Sequence, residues 1–115
     1  MELMLRNGDY VSDGAGALRR AQGREALLQR VLFRLTARRG MFPFLPDLGS
    51  DLWRLGRSAP AARQAAAEQY VAQALAAEDV TVDAVTLTDL GDGHMAVRAE
   101  MTWDGETLSV TLEVR

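Results

Sequence analysis

Cysteine and lysine are both absent from these 115 residues; histidine occurs once and proline three times. Without cysteine there is no disulfide framework, no thiolate metal site and no cysteine nucleophile. The lone imidazole, His94, cannot build a multi-histidine metal centre. Neither a metal nor a cofactor is therefore expected. No apolar run approaches the roughly 20 residues that a membrane helix requires. The opening residues, MELMLRNGDY, show neither the basic nor the apolar stretch of a secretory leader. The expectation is one soluble domain, made inside the cell, over residues 1–115.

What is present is arginine, and it is unevenly spread. Residues 19–39 hold seven arginines against one acid, Glu25. Residues 78–115 hold nine acids against two arginines, although the whole chain carries only −3. Arginine forms planar, bidentate pairs and suits interfaces better than lysine does. Genomic base composition also favours arginine and alanine, and that reading stands beside the first. A chain with a basic part and an acidic part can pair with complementary neighbours or with copies of itself.

Three regions follow from the patterning. In residues 1–23, Leu3–Arg6 and Asp9–Val11 flank Asn7-Gly8, a pair suited to a tight hairpin turn. Ser12 to Gly23, with three glycines, reads as a surface loop. Residues 24–78 read as helical, with one long interruption. Leu27, Leu28, Val31, Leu32 and Leu35 make one apolar stripe on a helix over about 24–37. Phe33 falls off that stripe, and Gly40 is placed to end the helix. A loop punctuated by Pro43, Pro46 and Gly49 follows. Ser50 can cap a short helix over 50–56, and Ser58 an alanine-rich one over 59–77. The loop's Phe42, Phe44, Leu45 and Leu48, with Leu52 and Trp53, need burial against this chain or a partner.

Residues 79–115 change to a period of two. Val80 and Val82 alternate in one phase, Val85 and Leu87 in the other, so a bulge is expected near Asp83-Ala84. Met95 to Trp103 and Leu108 to Val114 alternate cleanly about Asp104-Gly105. Pairing Trp103 with Glu106 sets Met101 opposite Leu108, Ala99 opposite Val110 and Val97 opposite Leu112. A one-residue slip would spoil every pair. The predicted fold class is α+β. It comprises an N-terminal β-hairpin, two main α-helices plus a short one, and a C-terminal three-stranded antiparallel meander with its last strand at an edge.

Catalytic chemistry finds little support. A nucleophilic triad needs an activated hydroxyl or thiol beside a base, and His94 sits in the turn Gly91-Asp92-Gly93-His94. Glycoside hydrolysis needs two carboxylates about 5–10 Å apart across a cleft. Glu78 and Asp79 are the adjacent acidic pair, at a helix-to-strand junction. Gly14-Ala15-Gly16 lacks the strand and helix that would make it a phosphate cradle. The basic helix could touch phosphates, yet the rest of the chain is acidic, so nucleic acid is not the expected partner.

Leu35-Thr36-Ala37-Arg38-Arg39-Gly40, followed by Phe42-Pro43-Phe44-Leu45-Pro46-Asp47-Leu48-Gly49-Ser50-Asp51-Leu52, resembles a known family. This is the baseplate wedge and sheath-initiator family of contractile phage tails, often called tail lysozyme-like. Its pattern is a helix ending Leu-x-Thr-x-x-Gly, a proline loop, Gly-Ser-x-Leu, a further helix and a C-terminal sheet. The order of elements agrees over about residues 24–114. The family's Glu-Pro-Arg-like motif has no counterpart here, where Ala76-Ala77-Glu78-Asp79-Val80 occupies the junction.

The resemblance implies a structural protein without enzymatic activity, in a virion tail baseplate. Its partners would be other wedge proteins and tail sheath subunits, with self-association possible. It points to Arg38, Arg39, Gly40, Phe42, Pro46, Gly49 and Trp53 for loop architecture and neighbour contact. Plain turn geometry for Gly40, Pro46 and Gly49, and internal packing for Phe42 and Trp53, remain open. Leu108, Val110 and Leu112 mark the strand offered, through its backbone, for augmentation. The alternatives are a peptidoglycan-cleaving tail lysozyme, or a nucleic-acid or regulatory binding module on the same scaffold.

Overall fold

The computed structural model describes residues 15–115. Helix α1 runs over Ala15–Thr36, followed by 3₁₀ turns at Leu52–Arg57 and Pro60–Ala62 and by α2 over Arg63–Ala74. Three strands follow: β1 (Thr81–Gly91), β2 (His94–Trp103) and β3 (Glu106–Val114). The hairpin expected around Asn7-Gly8 lies outside the described residues.

The helical part departs from expectation at four points. Residues 15–23 are helix and not surface loop. Alanine, leucine and arginine are strong helix formers, and together they outweigh glycines that cost about 1 kcal/mol each. Gly23 also lies against the sheet, where an added Cβ would stand 3.6 Å from the Trp103 ring. The short helix is a 3₁₀ turn with Asp51 at its N-cap position, and the Ser50 hydroxyl one residue earlier accepts from the N–H of its first residue, Leu52, at 3.3 Å. Ser58 does not cap α2. It closes the first 3₁₀ turn by donating its N–H to the Leu55 carbonyl, at 3.1 Å. The alanine-rich helix stops at Ala74, three residues early. The turn beyond it, held by Glu78 N–H to Leu75 O at 3.0 Å, delivers Glu78 to α1. There Glu78 accepts from Arg34 at 2.6 Å and Arg30 at 3.3 Å.

The sheet follows the alternation closely. Its order is β1-β2-β3, antiparallel throughout. Trp103 pairs with Glu106, Met101 with Leu108, Ala99 with Val110 and Val97 with Leu112. The expected bulge falls between Val82 and Ala84. Asp92-Gly93 and Asp104-Gly105 make the two turns, with φ of 53°, 78°, 50° and 77°. Positive φ at both central residues matches the right-handed twist of the strands they join.

One face of the sheet buries Met95, Val97, Ala99, Met101, Leu108 and Val110 against the helices. Leu27, Leu28, Val31 and Leu35 come from α1, Ala67 and Val71 from α2, and Leu52 and Leu55 from the 3₁₀ turn between them. The alanines of α2 let it lie close to β1. Gln64 of α2 donates to the Val85 carbonyl at 2.6 Å, so this side chain takes up part of the β1 edge. Beyond β3 no further described strand pairs.

Candidate functional site

The chain leaves α1 through a clasp built on Ser50. Its hydroxyl donates to the Leu35 carbonyl at 2.6 Å and accepts from the Leu52 N–H at 3.3 Å. Its own N–H donates to Ala37 O at 2.8 Å, and Arg39 N–H donates back to Ser50 O at 3.0 Å. Arg38 and Ser50 thus form a short parallel bridge. Gly49 holds φ +98°, and a Cβ there would sit 2.7 Å from Ala37 O. Only glycine fits, because the clasp brings two backbones together where a side chain would stand.

Between the clasped ends runs a compact Ω-type loop. Met41, Leu45 and Leu48 each donate an N–H to the carbonyl three residues back. Arg39 reaches Asp47 at 3.2 Å across the loop. These turns hold the loop together while several of its side chains face outward. Met41 is 61% exposed, Leu45 56% and Phe44 96%, with Phe33 of α1 50% exposed beside them. Phe42 and Phe33 stack at 6.3 Å between centroids, tilted by 41°. Of the apolar side chains that needed burial, Leu52 enters the core and Phe42, Leu48 and Trp53 are half-buried. Phe44 and Leu45 find no cover among the described residues.

The 3₁₀ turn after the clasp buries Leu52 and Leu55 and turns Trp53 to the rim. Three guanidinium groups surround its indole: Arg38 at 5.0 Å, Arg57 at 5.1 Å and Arg54 at 5.8 Å from the ring centroid. Each gains roughly 0.5–1 kcal/mol from the ring face. Trp53 and Arg38 line a depression of about 210 Å³ with Leu112, Glu113 and Arg115 at the end of β3. The clasp, the arginine-ringed indole and the last strand therefore meet at one end of the molecule.

The side chains of Leu108, Val110 and Leu112 point into the core. Whatever β3 offers, it offers through its backbone. Trp103 and Glu106 flank a two-residue turn and form its hydrogen-bonded pair, so alternation directs the peptide groups of Ser109, Thr111 and Glu113 away from β2.

A solved structure shares this fold. A Geobacter sulfurreducens protein provisionally assigned as a tail lysozyme aligns with a TM-score of 0.61 at 15% identity. The alignment covers 81% of this chain and 92% of that one. At this identity the likeness concerns the fold and transfers no residue roles. No protein-family model matches the chain, and no curated protein does.

The acidic pair considered for hydrolysis is not arranged across a cleft. Glu78, with its side chain 8% exposed, is held between two arginines of α1, whereas Asp79 is exposed. His94 contacts Glu113 at 2.9 Å beside the β1–β2 turn. Among the described residues no three acids or histidines converge to hold a metal ion. None of the described helices is long and apolar enough to cross a membrane.

Sequence reasoning missed Arg54 and Arg57, which ring Trp53, and it missed the clasping role of Ser50. The spacing Trp53-Arg54-x-x-Arg57 carries the first signal, since one turn of 3₁₀ helix brings residues three apart onto one face. Nothing local marks Ser50 as a clasp, because its partners lie 13 and 15 residues upstream.

Proposed function

We propose that the chain is a structural component of a contractile phage-type tail. It assembles with wedge proteins in the baseplate and initiates or anchors the sheath by lending the β3 edge to an incoming strand. The observation that carries this reading is the asymmetry of the sheet. On the β1 edge, Gln64 and the bulge obstruct pairing, whereas the peptide groups of Thr111 and Glu113 point outward from a β3 edge whose end lies beside the clasp. Strand addition uses such an edge, with main-chain hydrogen bonds supplying affinity. The shared fold with a protein named for a phage tail supports the setting.

Arg38, Arg39, Gly40, Phe42, Pro46, Gly49 and Trp53 have two roles in this reading. Gly49 and Arg39 shape the loop, and Arg38, Phe42 and Trp53 meet the neighbour. The chain is read as non-enzymatic, because Glu78 ties α2's end to α1 and, among the described residues, no second carboxylate faces it across a cleft.

Reversing the charge of Arg38 and Arg39 should weaken co-purification with the adjacent wedge protein by about tenfold or more, as for truncating close interfacial charges. Undiminished binding would remove these arginines from the interface. A zymogram on peptidoglycan should show no clearing. Clearing that disappears in Glu78→Gln would replace the assembly reading with the hydrolase.

A further inference from the structure

Arg38, Arg54 and Arg57 crowd one indole, and none is paired with a carboxylate among the described residues. Three like charges gathered around one ring repel one another. The ring face offsets part of this, and an anion would offset more. Trp53 supplies a second, independent sign: its indole Nε1–H is buried and has no acceptor among the described residues. A buried donor without a partner forfeits the hydrogen bond it would make to water. Of these groups Arg38 and Trp53 line the depression at the end of β3, with Glu113 also on its wall.

We infer that the arginine-ringed Trp53 is a carboxylate-binding site that takes an acidic side chain of an extended peptide docked along β3. The inference rests on the strand-edge reading above and adds the chemistry of the occupant. Three features favour a peptide carboxylate over a nucleic-acid phosphate. The cations are guanidinium groups, which pair with carboxylates in a bidentate manner. An open strand edge lies alongside and recognises peptide backbone. The meander beside the site is acidic, nine acids against two arginines in residues 78–115, and repels a polyanion. The peptide backbone fixes register along Thr111 and Glu113, and the carboxylate fixes where the strand ends. An edge otherwise open to any strand thereby acquires selectivity.

The test uses the whole chain and two capped decapeptides of alternating valine and threonine. One carries a single glutamate at the end that reaches Trp53, the other glutamine. Binding is followed by titration calorimetry and by the indole N–H resonance of Trp53, assigned by comparison with Trp53→Phe. The glutamate peptide should bind about tenfold or more tightly than its glutamine twin, the margin of a charge-assisted hydrogen bond. It should also shift the Trp53 indole resonance. The paired substitution Arg54→Gln, Arg57→Gln, at exposed positions, should erase that preference while leaving the circular dichroism spectrum unchanged. Thr111→Pro removes one outward N–H and should abolish binding of both peptides.

Equal affinity for the two peptides, with Thr111→Pro still blocking both, would overturn the carboxylate site and leave the strand edge standing. A glutamate preference that survives Thr111→Pro would overturn the strand edge and leave the site. Failure of the glutamate peptide to bind, or tighter binding of a single-stranded oligonucleotide, overturns the inference.

Discussion

Gly49 and Ser50 decide more of the local architecture than any large side chain does. Gly49→Ala must accept both an unfavourable φ and a 2.7 Å approach to the Ala37 carbonyl. We expect a loss of roughly 2–4 kcal/mol, the sum of backbone strain and a displaced bridge. Thermal denaturation checks this, and an unchanged midpoint would mean that the clasp contributes nothing. Gly40 also has positive φ, at +87°, but open space around it, so only the conformational part of that cost applies there. The sequence showed that a glycine and a serine end the loop. It did not show why, because the clash partner is a backbone oxygen 12 residues away.

Elements with a strict period were legible, and elements held by distant partners were not. The meander's register follows from a binary pattern that admits one alignment, and the bulge follows from the phase change between Val82 and Val85. The start of α1 was misread because three glycines suggested a loop. Their cost is small beside the propensity of the alanine, leucine and arginine residues around them. Gly23 gives a direct check. An added Cβ would meet Trp103 at 3.6 Å, an ordinary contact, in a helix that extends well to either side. Gly23→Ala should therefore stabilise the protein by about 0.5–1 kcal/mol, measured by chemical denaturation. Destabilisation would mean that this part of the chain is not helical in solution. The 3₁₀ character of Leu52–Arg57 was likewise invisible, since packing Leu52 and Leu55 into the core sets it and no local motif does.

At the scale of the molecule, charge and apolarity are segregated in a way that a self-sufficient domain does not require. Arginines concentrate on α1 and around Trp53, acids on the meander, and among the described residues an exposed apolar cluster occupies the loop after α1. Phe44, almost fully exposed on a loop held by its own turns, is the clearest sign of a surface meant to be covered. The candidate site was partly legible in the sequence. The stretch around Arg38 and Trp53 and the last strand were both singled out, but the meeting of the clasp and Trp53 with the end of β3 at one depression arises only when the chain folds. The central claim is that another chain completes the sheet at β3. Amide hydrogen exchange on the protein alone and in complex with a tail sheath subunit tests it directly. The account predicts that Thr111 and Glu113 gain strong protection in the complex while the amides of β1 do not change. Protection confined to β1 or to the loop, with Thr111 and Glu113 still exchanging freely, would contradict it.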